Sequence, residues 1–233
     1  MLLFKKIIVI AAAVYMLSSC SINAQQVIIN VPNADILRKG QYFGRFPLRF
    51  RPFDGNKYYI LNNDLLVGVG KNTEVAAAIT NMNYASSHVE PFFRTGFQTV
   101  VFLNESQSNR FTFGTRLETN LTRAETPFNL NYAHFSKRFK FDNARITAGI
   151  YTANEHDFLP NKTGALLGLE GTIIKDKLLY SVDWISRNEA YGYLGIGIKY
   201  FPNKSTILIP GVNIPNGNNA HFGFIFVFAK YFN

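Results

Sequence analysis

The stretch Tyr193-Leu194-Gly195-Ile196-Gly197-Ile198-Lys199-Tyr200 alternates strictly. Leu194, Ile196, Ile198 and Tyr200 fall on one face, and Gly195, Gly197 and Lys199 on the other. A period of two sends successive side chains to opposite sides of a strand. Glycines at this density would unravel a helix, and no capped stretch of helical period occurs. The split recurs upstream, where Phe111, Phe113, Leu117 and Leu121 oppose Thr112, Gly114, Arg116, Glu118 and Asn120. At the end of the chain Phe222, Phe224, Phe226 and Phe228 oppose Gly223 and Ala229, with Ile225 and Val227 blurring the contrast.

Working outward, twelve such segments are expected: 40–52, 64–71, 73–82, 92–103, 110–121, 128–139, 144–153, 164–174, 177–186, 190–201, 205–214 and 221–232. Lys71-Asn72-Thr73, Lys175-Asp176-Lys177 and Pro202-Asn203-Lys204 are hairpin-sized connections, whereas 53–63, 83–91 and 154–163 are longer. The short ones follow even strands and the long ones odd strands, so they gather at opposite ends of one antiparallel meander. The fold class expected is all-β: an up-and-down antiparallel barrel of the transmembrane kind, with short turns at one rim and longer loops at the other.

The chain of 233 residues is 47% hydrophobic and 15% aromatic, enough to bury a large core. Only 17% is charged, against roughly 25% in an average soluble domain, so a water-facing sheet surface is short of charge. The formal charge of +9 carries no run of like charges beyond Lys5-Lys6, so nucleic acid is not an expected partner. Residues 1–24 read as an export signal, with Lys5 and Lys6 ahead of the apolar run Ile7 to Leu17. Two processing routes stand open: cleavage after Ala24, or acylation at Cys20 in Leu17-Ser18-Ser19-Cys20, which makes Cys20 a candidate lipidation site. Processing at Cys20 would shorten the signal to 1–19. Residues 25–39 then form a periplasmic lead segment and 40–233 the barrel domain. Cys20 is the only cysteine, so the folded part holds no disulfide and no cysteine metal site. No later segment approaches the length of an apolar spanning helix, so any membrane crossing uses strands.

Composition of the two faces decides which one is inside. A soluble β-barrel would show a water-facing side dense in Lys, Glu and Asp. Here the second face is Gly, Thr, Ser, Asn and Gln with scattered Arg and Glu, which suits an enclosed lumen. Aromatic residues collect near segment ends, at Tyr42, Phe93, Phe128, Phe139, Trp184, Tyr191, Tyr200 and Phe232, where amphipathic rings can sit at lipid headgroups.

On these residues the chain resembles the outer-membrane β-barrel superfamily of Gram-negative-type bacteria over residues 40–233. Phe226-Val227-Phe228-Ala229-Lys230-Tyr231-Phe232-Asn233 is similar to the C-terminal strand signal of that superfamily, with its aromatic one place before the end. Gly68-Val69-Gly70-Lys71-Asn72-Thr73-Glu74-Val75 and Lys199-Tyr200-Phe201-Pro202-Asn203-Lys204 resemble its turn phrases. The resemblance implies residence in the outer membrane of the cell envelope. It also implies outer-membrane lipids and the barrel-assembly machinery as partners.

If the polar face lines the lumen, Arg45, Arg49, Arg51, Arg94, Arg116, Arg145, Arg187 and Lys199 gather there against Glu74, Glu118, Glu170 and Asp183. The basic excess favours anionic small solutes, because rings of Arg bias an opening towards anions. An internal ion-pair network that fills a closed barrel reads the same residues equally well. Arg45, Arg49 and Arg51, with no acid on their own strand, are the first candidates for solute contact. The function expected is a small porin-like or structural envelope protein, not an enzyme and without a cofactor.

Two alternatives are carried beside it. One is a lipid hydrolase: His134-Phe135-Ser136 resembles the His-x-Ser of outer-membrane phospholipase A and the lipid A deacylases, with Lys137 in place of their following Asn. That reading puts His134 and Ser136 on the lipid face, beside Leu130 and Tyr132. The other is an exported soluble β-barrel binding protein. Glu155-His156-Asp157 in a long connection reads as a solvated loop, and no metal is expected.

Overall fold

The computed structural model describes residues 28–52, 58–83, 90–104, 106–140, 143–154, 163–187, 192–217 and 222–232. The export signal and Cys20, Glu155-His156-Asp157, Tyr191 and Asn233 lie outside the described residues. The strands are β1 (Tyr42–Arg51), β2 (Tyr58–Gly68), β3 (Thr73–Asn83), β4 (Phe92–Phe102), β5 (Asn109–Asn120), β6 (Phe128–Arg138), β7 (Arg145–Ala153), β8 (Thr163–Ile174), β9 (Leu178–Ile185), β10 (Tyr193–Asn203), β11 (Thr206–Pro215) and β12 (Gly223–Phe232). Each pairs antiparallel with its sequence neighbours, and β1 closes the barrel on β12 through a ladder from Tyr42↔Phe232 to Phe50↔Phe224. Closure leaves no unpaired edge, which a sheet in hydrocarbon requires.

Both chain ends of the barrel lie at the rim of short turns, such as Lys175-Asp176-Lys177 between β8 and β9. The long connections lie at the other rim. Strand boundaries follow the alternation closely except at β2, which begins at Tyr58 where the sequence reading expects a loop to residue 63. Asn62-Asn63, within the connection expected over 53–63, forms a bulge in the barrel. Asn62 Oδ1 accepts the Asn81 N–H at 2.8 Å, with Asn81 at φ 57°, so the ladder shifts register there and continues.

The apolar face points outward. Phe226 is 46% exposed while its neighbours Ile225 and Val227 are 3% exposed. Phe97, Phe111, Phe113, Phe135, Leu167, Ile196 and Ile198 share that outer surface. Tyr42, Phe139, Tyr200 and Phe232 ring the short-turn rim, with Lys137 and Lys230 stacked near Phe139 and Phe232. This is the banded exterior of a transmembrane barrel, apolar in the middle with aromatic and snorkelling cationic residues at the edge.

The lead segment is where the molecule differs most from the sequence reading. Residues 28–37, expected as part of a periplasmic lead outside the barrel, run inside it, and Arg38 and Lys39 are exposed at its mouth. Ile28, Ile29, Val31, Ala34 and Leu37 are each at most 5% exposed. Ile29 and Leu37 pack on Phe43, Leu66, Ile207, Ile209, Ile225, Val227 and Ala229 of the wall. Ile28 and Val31 pack on Phe128, Tyr151, Ala153 and Leu166. The Ile28 N–H donates to the Val31 carbonyl at 3.0 Å, so the deepest part of the plug is a tight turn.

Wall glycines give this turn its room. A Cβ on Gly168 would collide with Ile28, and one on Gly197 would sit 3.1 Å from Ile29 Cδ1. At the short-turn rim the plug leaves through Gly40, at φ 82°, whose N–H donates to the Gly68 carbonyl at 2.8 Å. A non-glycine residue at 40 would be strained in that left-handed conformation.

The plug also corrects two other expectations. Phe128 is fully buried at the lumen wall, not at the lipid interface. Leu130, Tyr132, His134 and Ser136 share that inward face, while Phe135 and Lys137 point out. In β6, β11 and β12 the inner row is apolar as well as the outer one, because it packs against the plug.

Candidate functional site

The lumen charges form two groups joined by the plug. Beside Pro32 of the plug, Arg45 Nε donates to Asp64 Oδ2 at 2.6 Å across the β1–β2 ladder. Arg94 Nε donates to Glu118 Oε1 at 2.7 Å and reaches Asp64 Oδ1 at 3.7 Å. Arg49 Nη2 donates to Asn30 Oδ1 of the plug at 3.1 Å, and Arg51 Nη2 to the Tyr193 hydroxyl at 2.8 Å. Arg49, Arg51, Arg94 and Arg116, with Glu90 and Glu118, line a cavity of about 360 Å³ floored by Asn30 and Pro32.

Towards the short-turn rim, Arg145 Nε donates to Glu170 Oε2 at 3.0 Å, and Lys199 Nζ pairs with Glu170 Oε1. The plug adds Asp35 to this group. Asp35 Oδ2 accepts from Arg145 Nη1 at 2.7 Å and Arg138 Nη2 at 3.3 Å, and Oδ1 pairs with Arg110 Nη1. Burial alone would raise the Asp35 carboxyl, but Arg145, Arg138 and Arg110 around it hold it below the ordinary carboxylate range. Beyond it a vestibule of about 1370 Å³ opens at the short-turn rim. Lys71, Arg110, Arg138, Lys140, Lys175, Lys177 and Lys204 line it, against Asp35 and Asp176.

Residues 30–38 of the plug stand between the two chambers, and the space beside Pro32 is only about 70 Å³. Asp183, two residues from the long-loop end of β9, secures the deep turn: its Oδ2 accepts the N–H groups of Ile29 at 2.7 Å and Val31 at 2.8 Å, and that of Asn30 between them. Glu74 accepts the Leu37 N–H at 3.0 Å. Gln98 Nε2 donates to the Asn33 carbonyl at 2.7 Å and its Oε1 accepts from the Tyr132 hydroxyl at 2.8 Å.

Of the residues singled out from sequence, Arg45, Arg49, Arg51, Arg94, Arg116, Arg145, Glu74, Glu118, Glu170, Asp183 and Lys199 face the lumen. Arg187 does not: it sits at the long-loop rim and donates to the Thr163 carbonyl, at 2.6 Å from Nε. His134 and Ser136, each 1% exposed, are enclosed at the lumen wall, away from the lipid face where a lipid hydrolase would need them. Ser136 Oγ lies 2.8 Å from Thr147 Oγ1 and 3.4 Å from His134 Nδ1, so its short contact is with a threonine. Among the described residues no three His, Cys, Asp or Glu side chains gather in a way that could hold a metal ion. Sequence reasoning missed Asp35, Arg110 and Arg138, since Asp35 lies outside every strand and the two arginines sit at strand ends.

Geometry of this kind, a closed twelve-stranded up-and-down barrel with a lipid-type exterior and a charged interior, is a porin-like β-barrel fold. Among solved structures the chain is similar to the KdgM porin, solved in complex with disordered oligogalacturonate. The TM-score is 0.55 at 10% identity, covering 83% of this chain and 98% of that one. At that identity the likeness speaks for the fold. No protein-family model and no curated protein matches the chain.

Proposed function

We propose that the protein is a porin-like barrel of the outer membrane that handles anionic solutes, with residues 28–37 narrowing its lumen. The observation that carries this reading is the charge of the two chambers. Arg49, Arg51, Arg94 and Arg116 line the long-loop chamber, and lysines and arginines outnumber carboxylates around the vestibule. Low-dielectric walls lined by one sign of charge concentrate solutes of the other sign. KdgM holds an anionic oligosaccharide, which is consistent with that class of solute. Outer-membrane lipids are the partner of the exterior, and β12 presents the strand that the assembly machinery would read.

Planar-bilayer conductance tests the reading. The full chain should conduct weakly, and a chain lacking residues 28–39, checked for folding by heat-modifiable migration, several-fold more with anions preferred. Cation preference, or silence from both, would overturn it.

A further inference from the structure

Asp35 is a carboxylate of the chain itself sitting where three guanidiniums converge. We propose that Arg110 and Arg138 form a binding site for carboxylate-bearing solutes at the inner end of the vestibule, and that Asp35 occupies it as an internal competitor. A ligand bound there displaces Asp35 and frees the adjoining part of the plug. The inference deepens the proposed function, in that it names the chemical class of solute and the residues that take it.

Four observations carry it. First, Arg110 and Arg138 are reachable: their side chains are 16% and 35% exposed and line the vestibule, while Asp35 is 3% exposed. Second, one plug carboxylate serves three guanidiniums, of which Arg110 also donates to the Gln107 and Ala34 carbonyls and Arg138 to Asn143 Oδ1. The two Asp35 oxygens are shared among three arginines, the Arg138 bonds to them are long at 3.3 and 3.5 Å, and among the described residues Arg138 Nε has no acceptor. Guanidinium groups pair best with carboxylates in two parallel bonds, which a solute bearing two or three carboxylates would offer. Third, the wall survives the exchange. Arg145 keeps Glu170, which also holds Lys199, so losing Asp35 strands no buried cation. Fourth, the neighbouring lining is suited to anions, with Lys140 and Asn143 beside Arg138.

An occupied site binds an outside ligand more weakly by the fraction of time it is free. Removing the internal carboxylate should therefore strengthen binding. Citrate serves as the probe, titrated calorimetrically into the full chain in detergent micelles, with maltotriose as the uncharged control. Asp35→Asn should bind citrate about tenfold tighter than the wild type. Arg138→Gln should weaken binding, and Asp35→Asn with Arg138→Gln should lose the gain. A spin label on a cysteine at Ile36, in a Cys20→Ser background, should become mobile when citrate is added to the otherwise wild-type chain.

Equal citrate affinity in the wild type and Asp35→Asn, or a gain that persists without Arg138, would overturn the proposal. So would a label that stays immobile at saturating citrate. Conductance plays no part in these readouts. Silent bilayers together with citrate-dependent release would refute the channel reading while supporting the site.

Discussion

Asp183 and Asp35 tether the same segment by opposite means. Asp183 belongs to the wall and accepts three backbone N–H groups of the plug's deep turn. Asp35 belongs to the plug and is held by arginines of the wall. The first tether sits near the long-loop end of β9, where the acceptor is buried and an arriving anion has nothing to compete for. The second lies at the inner end of an open vestibule, where a carboxylate from outside competes with it on equal chemical terms. The comparison teaches that charge placed on the wall makes a fixed anchor, whereas charge placed on the plug at an accessible mouth makes an exchangeable one.

The largest expected effect breaks the fixed anchor. Asp183→Ala leaves three plug N–H groups without their acceptor, and each buried unsatisfied donor costs about 1–3 kcal/mol. Docking of the plug should weaken by at least about 3 kcal/mol, read as a roughly hundredfold faster amide exchange at Ile29, Asn30 and Val31. Asp35→Asn should leave exchange at those three amides within a few-fold of wild type, since the deep turn does not depend on it.

A smaller effect is expected from the groove that receives Ile28. Gly168→Val puts a branched side chain where Ile28 now sits, and overpacking of this kind costs about 1–3 kcal/mol. Labelling of a cysteine at Ala34 by a water-soluble thiol reagent, in a Cys20→Ser background, should accelerate. The barrel's heat-modifiable migration should be unchanged.

The smallest effect at neutral pH concerns the exchangeable tether. With its carboxyl held below the ordinary range when docked, Asp35 contributes fully above its free value near 4. That contribution fades as pH falls through the depressed value. The mobility of the label at Ile36 should therefore be flat from pH 7 to about 5 and rise below about 4. In Asp35→Asn the acid-induced rise should shrink or vanish.

The same contrast shows what was legible in the sequence. Strands announce themselves by period two, and stretches such as Tyr193 to Tyr200 give their inward and outward rows without help from tertiary contacts. The lumen-facing charges of β1, β4, β5 and β7 follow from that parity. The plug has no such signature, because a turn held by wall side chains needs no periodicity of its own. Its trace lies in the wall instead. Ile207, Ile209, Ile225 and Val227 are apolar where a wet lumen would be polar, because Ile29 and Leu37 pack against them. His134 and Ser136 went to the wrong face for the same reason, since Leu130 and Tyr132 beside them are apolar for the plug and not for lipid.

Amide exchange of the full chain in micelles reads out whether residues 28–37 sit within the barrel. The N–H groups of Ile29, Val31 and Leu37, bonded to Asp183 and Glu74, should exchange as slowly as those of the barrel strands. Exchange of these three at the rate of free peptide, with the strands still protected, would contradict that placement.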